Sequence, residues 1–295
     1  MAEFLGINLF GLFGQLLVGL INGSFYALLA LGLAIIFGLL KIINFSQGAL
    51  YMLGAFGAWM ALEYLQLNYW YALFVVPIIV GLLGILMERF LIRPIANEDH
   101  LYSLLLTFGI ALILQGLFTD WYGSSGLPYS IPAELKGGTR LPFMYLPNYR
   151  AWIIIFSLSV CAITWFMIEK TKLGAYLRAG TENPKLMQAF GINVPLIVTL
   201  TYGFGAALAG LAGVLAAPVY SVSPEMGSNI LIVVFAIVVI GGMGSIGGAI
   251  LTGLAMGIVE GLTKYFYPEA SNTVIFLVMV LVLLIKPAGL FGKEA

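Results

Sequence analysis

Residues 12–40 read LFGQLLVGLINGSFYALLALGLAIIFGLL, a run of 29 residues without a charged side chain. Crossing the hydrocarbon core of a bilayer, ~30 Å thick, takes roughly 17 to 25 predominantly apolar residues in a helix. This run is long enough to cross, and it is even long for one helix. It therefore predicts a membrane-spanning segment and sets the fold class of the chain.

The remaining sequence has the same character. Of its 295 residues, 61% are hydrophobic and 9% are charged, and the mean hydropathy is +1.05. Apolar runs between short polar breaks predict nine spans, near 12–40, 45–62, 71–88, 101–118, 151–168, 196–217, 229–243, 248–263 and 272–286. Because the seventh and eighth runs are short, the count lies between eight and ten, with a broken or re-entrant segment near 241–248. We predict an all-α polytopic membrane protein, with residues 1–295 as a single transmembrane domain.

The basic residues predict the orientation of these spans. With nine spans, one side of the membrane receives Lys41, Arg89, Arg93, Lys170, Lys172, Arg178, Lys185, Lys286 and Lys293, and the other receives Lys136, Arg140, Arg150 and Lys264. Loops rich in lysine and arginine stay in the cytoplasm. The N-terminus is therefore expected outside and the C-terminus inside. Residues 119–150 become an external connection, and residues 169–195 become a cytoplasmic loop.

Several function classes are disfavoured by composition. A formal net charge of zero disfavours nucleic acid as a partner, because binding phosphates requires a basic excess. The single cysteine, Cys161, and the single histidine, His100, supply neither a disulfide nor a metal site, so no metal and no cofactor are expected. Both aspartates, Asp99 and Asp120, lie outside the predicted hydrocarbon region, which disfavours intramembrane catalysis. The run GGMGSIGG (241–248) lacks the lysine of a nucleotide-binding loop, so ATP is not expected to bind this chain.

The polar loop KTKLGAYLRAGTENPKLMQAFGINV (170–194) contains signals for a short helix. Asn183 followed by Pro184 is a helix start, and Gly191 is a stop about two turns later. Leu186 and Phe190 fall on one apolar side together with an alanine. Two turns are unstable alone in water, so this helix has to dock against something. It packs either on its own membrane domain or on a separate cytoplasmic protein, and the residues leave both open.

Polar side chains inside the spans are candidates for a translocation path. Asn44, Ser46 and Gln47 in INFSQG either bond neighbouring helices or face water in the path. The glycine-rich run places Gly241, Gly242, Gly244 and Ser245 either beside the path or in an ordinary cytoplasmic turn. Two rows of small residues at four-residue spacing, Gly253, Gly257 and Gly261, and Gly205, Ala209 and Gly213, predict close helix packing. Glu260 either reaches water or pairs with Lys264, which we favour over a contact with the substrate. We expect Glu88 and Arg89 to be solvated.

Four stretches carry a resemblance to a known family. They are GAYLRAGTENPKLMQAFGINV (174–194), NGSFYALLALGLAIIFGLLKIINFSQGALYMLGAF (22–56), VVIGGMGSIGGAILTGLAMGIVEGL (238–262) and LLIKPAGLFG (283–292). Together they resemble permease subunits of ABC importers in the branched-chain amino acid family, of the LivH type. The resemblance runs from about Gln15 to Gly292 and is weakest over 119–150.

The resemblance implies a function and a set of partners. The chain is expected to be a non-catalytic permease in a bacterial cytoplasmic (inner) membrane. It would form half of a translocation path for branched-chain or other neutral amino acids. Expected partners are a second, LivM-type permease, two ATP-binding subunits that hydrolyse ATP, a periplasmic or extracellular solute-binding protein, and the lipid bilayer. The expected cargo is a small neutral or zwitterionic solute.

Site residues follow from the same resemblance. The loop helix would be a coupling helix seated in an ATP-binding subunit, with contact residues Arg178, Asn183, Pro184, Lys185, Leu186, Gln188, Phe190 and Gly191. Arg178 has the alternative role of anchoring the loop to lipid headgroups.

The sequence also departs from the family pattern. Many relatives resemble NFAHGE or NFAHGD where this chain has Gln47 and Ala49, and Lys286 replaces an arginine. Loss of both ionisable groups argues against charge sensing at that point and is compatible with another cargo, such as urea, short amides or aromatic acids. A carrier driven by an ion gradient is the alternative of another class, and it would need buried carboxylates in mid-membrane.

Overall fold

The computed structural model describes residues 3–4, 7–40, 42–96, 98–142 and 145–292, and side chains from residue 9 onward. Lys41 and Lys293, used above for orientation, lie outside the described residues. The α-helices of this part are Leu9–Ala34 (α1), Gln47–Glu63 (α2), Tyr69–Met87 (α3), His100–Tyr122 (α4), Asn148–Lys170 (α5), Lys172–Glu182 (α6), Pro184–Ala189 (α7), Val194–Ala216 (α8), Met226–Gly241 (α9), Ile246–Phe266 (α10) and Val274–Ile285 (α11). Two short antiparallel strand pairs add Glu3–Phe4 (β1) with Ile7–Asn8 (β2), and Gly138–Arg140 (β3) with Tyr145–Pro147 (β4).

Each of the nine predicted spans corresponds to one helix. Six helical stretches in the described part are long and apolar enough to cross a membrane, at Leu9–Leu39, Tyr69–Ile95, His100–Tyr122, Asn148–Lys170, Val194–Ala216 and Ile246–Phe266. The helices α2, α9 and α11 are shorter, at 17, 16 and 12 residues. The prediction of an all-α polytopic membrane protein is therefore confirmed, and the two short runs predicted on either side of 241–248 are separate helices.

Two helices end in wider π-helical turns. Ile35–Leu39 continues α1, and Glu88–Ile92 continues α3 before the 3₁₀ turn Arg93–Ile95. Residues 42–46 then run without regular structure up to α2. The apolar run 12–40 is thus one continuous helical stretch, and the break that follows it coincides with the polar segment INFSQG.

The chain divides into two compact units, and the first comprises Met1–Ala30, Ile131–Cys161 and Val233–Ala295. Within it, α1 and α10 touch backbone to backbone. A Cβ at Gly257 would lie 2.3 Å from Gly23 Cα, and a Cβ at Gly253 would lie 2.6 Å from Ala27 Cα. Lipid tails are as apolar as the helices, so close packing of small residues is what holds such pairs together. The predicted packing role of this glycine row is confirmed.

Beside this contact lies a buried carboxylate. Glu260 of α10 is 5% exposed and accepts hydrogen bonds from Tyr26 Oη at 2.7 Å and Asn22 Nδ2 at 3.4 Å. It also forms an ion pair with Lys264 one turn later. The predicted pairing is confirmed, and the two α1 side chains extend it into a polar link between α1 and α10.

The second unit comprises Leu31–Ser130 and Ala162–Ile232. Its centre is α8, which packs against α2 and α3 through small residues. A Cβ at Gly54 would lie 2.1 Å from Gly210 O, and one at Gly213 would lie 2.1 Å from Tyr51 O. The opposite side of α3 is exposed, with Phe74 at 65% and Ile78 at 62%. This exposed apolar stripe is suited to lipid.

Part of the predicted external connection is bound within the second unit. The helix α4 ends at Gly123, whose φ of +75° favours glycine. Leu127 then exchanges backbone hydrogen bonds with Val222 at 2.8 and 2.9 Å. Burial raises the pKa of Tyr129 to about 12, and the neighbouring Tyr69 adds to the rise. The start of this connection is therefore folded onto its unit.

The glycine contact between α1 and α10 leads to a stability prediction. Gly257→Val places two methyl groups against the α1 backbone, and overpacking of this kind costs about 1–3 kcal/mol. We expect a lower midpoint in thermal unfolding of the detergent-purified protein. Gly14→Val is the matched control, because a Cβ at Gly14 meets nothing within 4 Å. Equal midpoints for the two variants would contradict the packing argument.

Candidate functional site

The cytoplasmic loop folds locally as the sequence predicts. Asn183 caps α7, its Oδ1 accepting the Leu186 N–H at 3.1 Å, and Pro184 occupies the first turn. Gly191 ends the helix with a φ of +78°, where the Ile192 N–H donates to Met187 O at 3.1 Å. The predicted start and stop of the short helix are therefore confirmed.

The apolar side of α7 is uncovered. Leu186 is 52% exposed and Phe190 is 74% exposed, while Lys185 and Gln188 are exposed as well. No residue of α7 itself is buried. Of the two alternatives from the sequence, packing of this face on its own membrane domain does not occur in the described structure. The proposed contact of this face with another protein stays a prediction.

A second amphipathic helix, α6, precedes α7 and was missed from the sequence. Leu177 is buried, and Gly174 lies so close to α5 that a Cβ would be 1.7 Å from Ile168 O. Arg178 Nη1 lies 3.5 Å from Glu169 Oε2. Both side chains of this pair are more than a third exposed, so it fixes the Arg178 side chain only weakly. The three-residue spacing of the buried positions Gly174, Leu177 and Gly180 was the available signal.

The three polar residues of INFSQG form one buried cluster in the second unit. Asn44, Ser46 and Gln47 are 2%, 0% and 1% exposed. Asn44 Oδ1 accepts the Ser46 N–H at 3.0 Å and also the Ser46 hydroxyl, and Asn44 Nδ2 donates to Gln47 Oε1 at 3.3 Å. Gln47 Nε2 donates to Gly205 O of α8 at 3.2 Å. In this conformation the three residues bond one another and a neighbouring helix.

Thr107 of α4 completes the cluster. Its Oγ1 accepts the Phe45 N–H at 3.0 Å, and its hydroxyl donates to Ser103 O at 2.8 Å. A cavity of about 50 Å³ lies beside Phe45 and Gln115. A path role for Asn44, Ser46 and Gln47 stays a prediction.

Glu88 departs from the expectation of a solvated side chain. It is 2% exposed, and its carboxylate accepts from Arg93 Nε at 3.1 Å and Nη2 at 3.0 Å. The Thr199 hydroxyl of α8 donates to the same carboxylate at 2.7 Å. The expectation was wrong because the fold brings the Glu88 carboxylate against Arg93 and against Thr199 of α8. A buried carboxylate needs such partners, and only the folded chain shows that they are present.

The glycine-rich run is a tight turn between α9 and α10 in the first unit. Gly242 and Gly244 have φ of +99° and +100°, which a residue with a Cβ rarely adopts. Ser245 caps α10, its Oγ accepting the Gly248 N–H at 3.0 Å. The last part of the chain clamps the turn, because the Phe291 N–H donates to Gly241 O at 3.1 Å. The structure shows a turn here, and its place beside a path stays a prediction.

Metal binding has no support in the described part of the chain. No group of three or more histidine, cysteine, aspartate or glutamate side chains comes together there. The side chains that are brought together serve as hydrogen-bonding and ion-pairing groups.

Comparison with known proteins gives a consistent result. The family model described as "Branched-chain amino acid transport system / permease component" matches residues 15–283. The high-affinity branched-chain amino acid transport system permease protein LivH of Escherichia coli (strain K12) is 32% identical over 298 residues, covering 95% of each chain. BraD of Pseudomonas aeruginosa, described in the same words, is 32% identical over 292 residues, also covering 95% of each chain.

Similarity extends to a second kind of permease. The high-affinity branched-chain amino acid transport system permease protein LivM of E. coli (strain K12) is 28% identical over 288 residues, which cover 90% of this chain and 67% of that protein. No solved structure matches the chain. The comparison therefore rests on sequence relatives alone.

The Thr107 bond leads to a prediction about the polar cluster. Thr107→Val keeps the shape but leaves the Phe45 N–H without its acceptor, and an unsatisfied buried donor costs about 1–3 kcal/mol. We expect a lower thermal midpoint in detergent and weaker protection of the Phe45 amide from hydrogen exchange. Thr107→Ser retains the hydroxyl and should remain close to the parent chain. A valine variant as stable as the serine variant would contradict the role of this bond.

Proposed function

Because the chain belongs to the family of permease components of branched-chain amino acid transport systems, we propose that it is the membrane-spanning permease subunit of an ABC importer for branched-chain or other neutral amino acids. In this proposal it forms half of the translocation path. A LivM-type permease forms the other half, as the similarity to the LivM protein suggests. ATP hydrolysis takes place on two partner subunits, and this chain is not catalytic.

The observation that carries the coupling role is the uncovered apolar side of α7. Leu186 and Phe190 expose 52% and 74% of their surfaces at the end of a capped helix of six residues. A helix this short is not stable by itself, so its conformation depends on what contacts it. A cleft in an ATP-binding subunit would bury both side chains and transmit the movement of that subunit to α8 through the turn at Gly191.

The state of the buried carboxylates supports ATP as the energy source. Glu88 is held by Arg93 and Thr199, and Glu260 is held by Lys264 and Tyr26. A carrier coupled to an ion gradient needs a carboxylate that exchanges its partner for an ion. Both carboxylates are already neutralised by a neighbouring cation, which favours ATP-driven transport over that alternative.

The cargo is proposed from the path residues and the relatives together. Asn44, Ser46 and Gln47 supply amide and hydroxyl groups without net charge, which suits a neutral or zwitterionic solute. The relatives named above are branched-chain amino acid permeases. Urea, short amides and aromatic acids are the alternative cargoes within this proposal, since the solute-binding protein that delivers cargo selects it.

We place the chain in a bacterial cytoplasmic membrane as a multi-pass protein. The excess of basic residues on one side supports an external N-terminus and a cytoplasmic C-terminus. The same orientation puts α6 and α7 in the cytoplasm, where ATP-binding subunits reside.

A paired substitution in α7 tests the coupling role. Leu186→Ala with Phe190→Ala removes the apolar contacts but keeps the Asn183 cap and the chain length. We expect loss of most transport-linked ATP hydrolysis and weaker co-purification of the ATP-binding subunits, with normal membrane insertion. The control is Ile155→Ala with Ile163→Ala, two exposed side chains of α5 at 63% and 67%. Unchanged uptake in the α7 double variant would remove α7 from the coupling mechanism.

Site-specific labelling tests the orientation. Ser124→Cys and Lys185→Cys, each in a Cys161→Ser background, place single thiols at exposed positions in the two connections. In the parent chain the Cys161 thiol is buried, so background labelling of that chain should be low. We expect a membrane-impermeant maleimide to label the thiol at 124 in intact cells and the thiol at 185 only after permeabilisation. Labelling of both from one side would overturn the topology.

A further inference from the structure

A cavity of about 230 Å³ opens in the second unit where α6, α7 and α8 meet the connection from α3 to α4. Its walls include Glu98, His100, Arg93, Ile42 and Val198. Clefts for drug-sized ligands measure roughly 300–1,000 Å³, so this one suits a smaller solute. The predicted path segments, residues 44–47 and 241–245, do not line it.

The cavity wall carries charged side chains of both signs, and only some of them are paired with each other. Arg93 directs Nε and Nη2 at Glu88, and its Nη1 has no partner among the described residues. The Arg93 side chain is 38% exposed and lines the cavity, so the guanidinium can meet a ligand. Because Glu88 is neutralised by Arg93, the remaining carboxylate of the cavity is that of Glu98, which is exposed, as is His100.

The rest of the wall is aliphatic. Leu40, Ile42, Ile92, Val194 and Val198 line it, and Ser103 adds a hydroxyl. The cavity thus combines the N–H donors of Arg93 Nη1 for a carboxylate, the Glu98 carboxylate for an ammonium group, and a branched apolar surface. A zwitterionic α-amino acid with an aliphatic side chain presents the complementary groups.

We propose that this cavity is a cytoplasmic binding site for an aliphatic α-amino acid. The carboxylate of the ligand bonds Arg93 Nη1 and His100, its ammonium group pairs with Glu98, and its side chain packs on Ile42 and Val198. The cytoplasmic location rests on the orientation in the proposed function.

Occupancy has a consequence for transport. Gly180 and Thr181 of α6 and Pro184 of α7 also line the cavity, facing Val194 of α8. A ligand there contacts both sides of the loop that carries α7 and holds it in one position. Imported amino acid accumulating in the cytoplasm would therefore slow its own uptake, by coupling between this site and the loop.

The test uses right-side-out membrane vesicles that contain the assembled transporter, internal ATP and external solute-binding protein. Vesicles without internal amino acid test the proposed function, through ATP-dependent uptake of labelled L-leucine. Preloading the lumen with L-leucine tests the cavity. We expect the initial rate to fall at least about fivefold, the low end of ordinary coupling between sites. Internal leucinamide, which lacks the carboxylate, and 4-methylpentanoate, which lacks the ammonium group, should have little effect.

Two cavity variants assign the effect to this site. Val198→Trp fills the cavity, and Leu196→Trp, on the 52% exposed side of the same helix, is its matched control. Inhibition should disappear in the first and persist in the second. Glu98→Gln changes an exposed side chain, so this variant should fold and assemble like the parent. It should weaken the inhibition, and it keeps the test decisive if Val198→Trp does not assemble.

Full uptake in preloaded parent vesicles would overturn the site, and so would equal inhibition in parent and Glu98→Gln vesicles. Absence of ATP-dependent uptake from empty vesicles would instead reject the proposed function.

Discussion

Close backbone contact through small residues is the constraint on which the rest of this structure depends. Helices in a bilayer gain little from hiding apolar side chains, because lipid is apolar too. Here Gly23 and Gly257 bring α1 against α10, and Gly54 and Gly210 bring α2 against α8. At such short range, side chains of one helix reach polar groups of the next. The Glu260 bonds to α1 and the Gln47 bond to Gly205 both exist because the backbones are this close.

The irregular segment 42–46 shows how the chain satisfies backbone groups where helical bonding stops. Within a bilayer, backbone outside helices is tolerated only when protein or water covers it. Asn44 accepts the Ser46 N–H and Thr107 accepts the Phe45 N–H, so two side chains replace helical carbonyl partners. The polar residues that looked like path candidates thus have a structural task in this conformation. A transport cycle that opened a path here would have to exchange these bonds for bonds to solute or water.

The sequence predicted the helices of the nine apolar runs, the cap at Asn183, the stop at Gly191 and the Glu260–Lys264 pair. These features depend on a few neighbouring residues, so their causes can be read along the chain. The sequence-based expectation for Glu88 was wrong. This side chain was expected in water, and it lies buried against Thr199, 111 residues away. The helix α6 was also missed, because its amphipathic pattern was visible but its tight turn onto α5 depends on the fit of Gly174 against Ile168. The exposure of α7 could not be predicted either, because exposure depends on every other segment.

The sequence by itself determined that the chain spans a membrane many times, and it determined the family, because length, hydropathy and local motifs need no partner in space. Only the tertiary structure decided which polar groups meet. It joined the Phe45 N–H to α4 and the Gln47 side chain to α8, and it buried Glu88 beside Arg93 and Thr199. It also left Leu186 and Phe190 uncovered. The physical reason is that a buried polar group is stable only with a partner at about 3 Å. Which residue supplies that partner is fixed by helix packing between segments far apart in the chain.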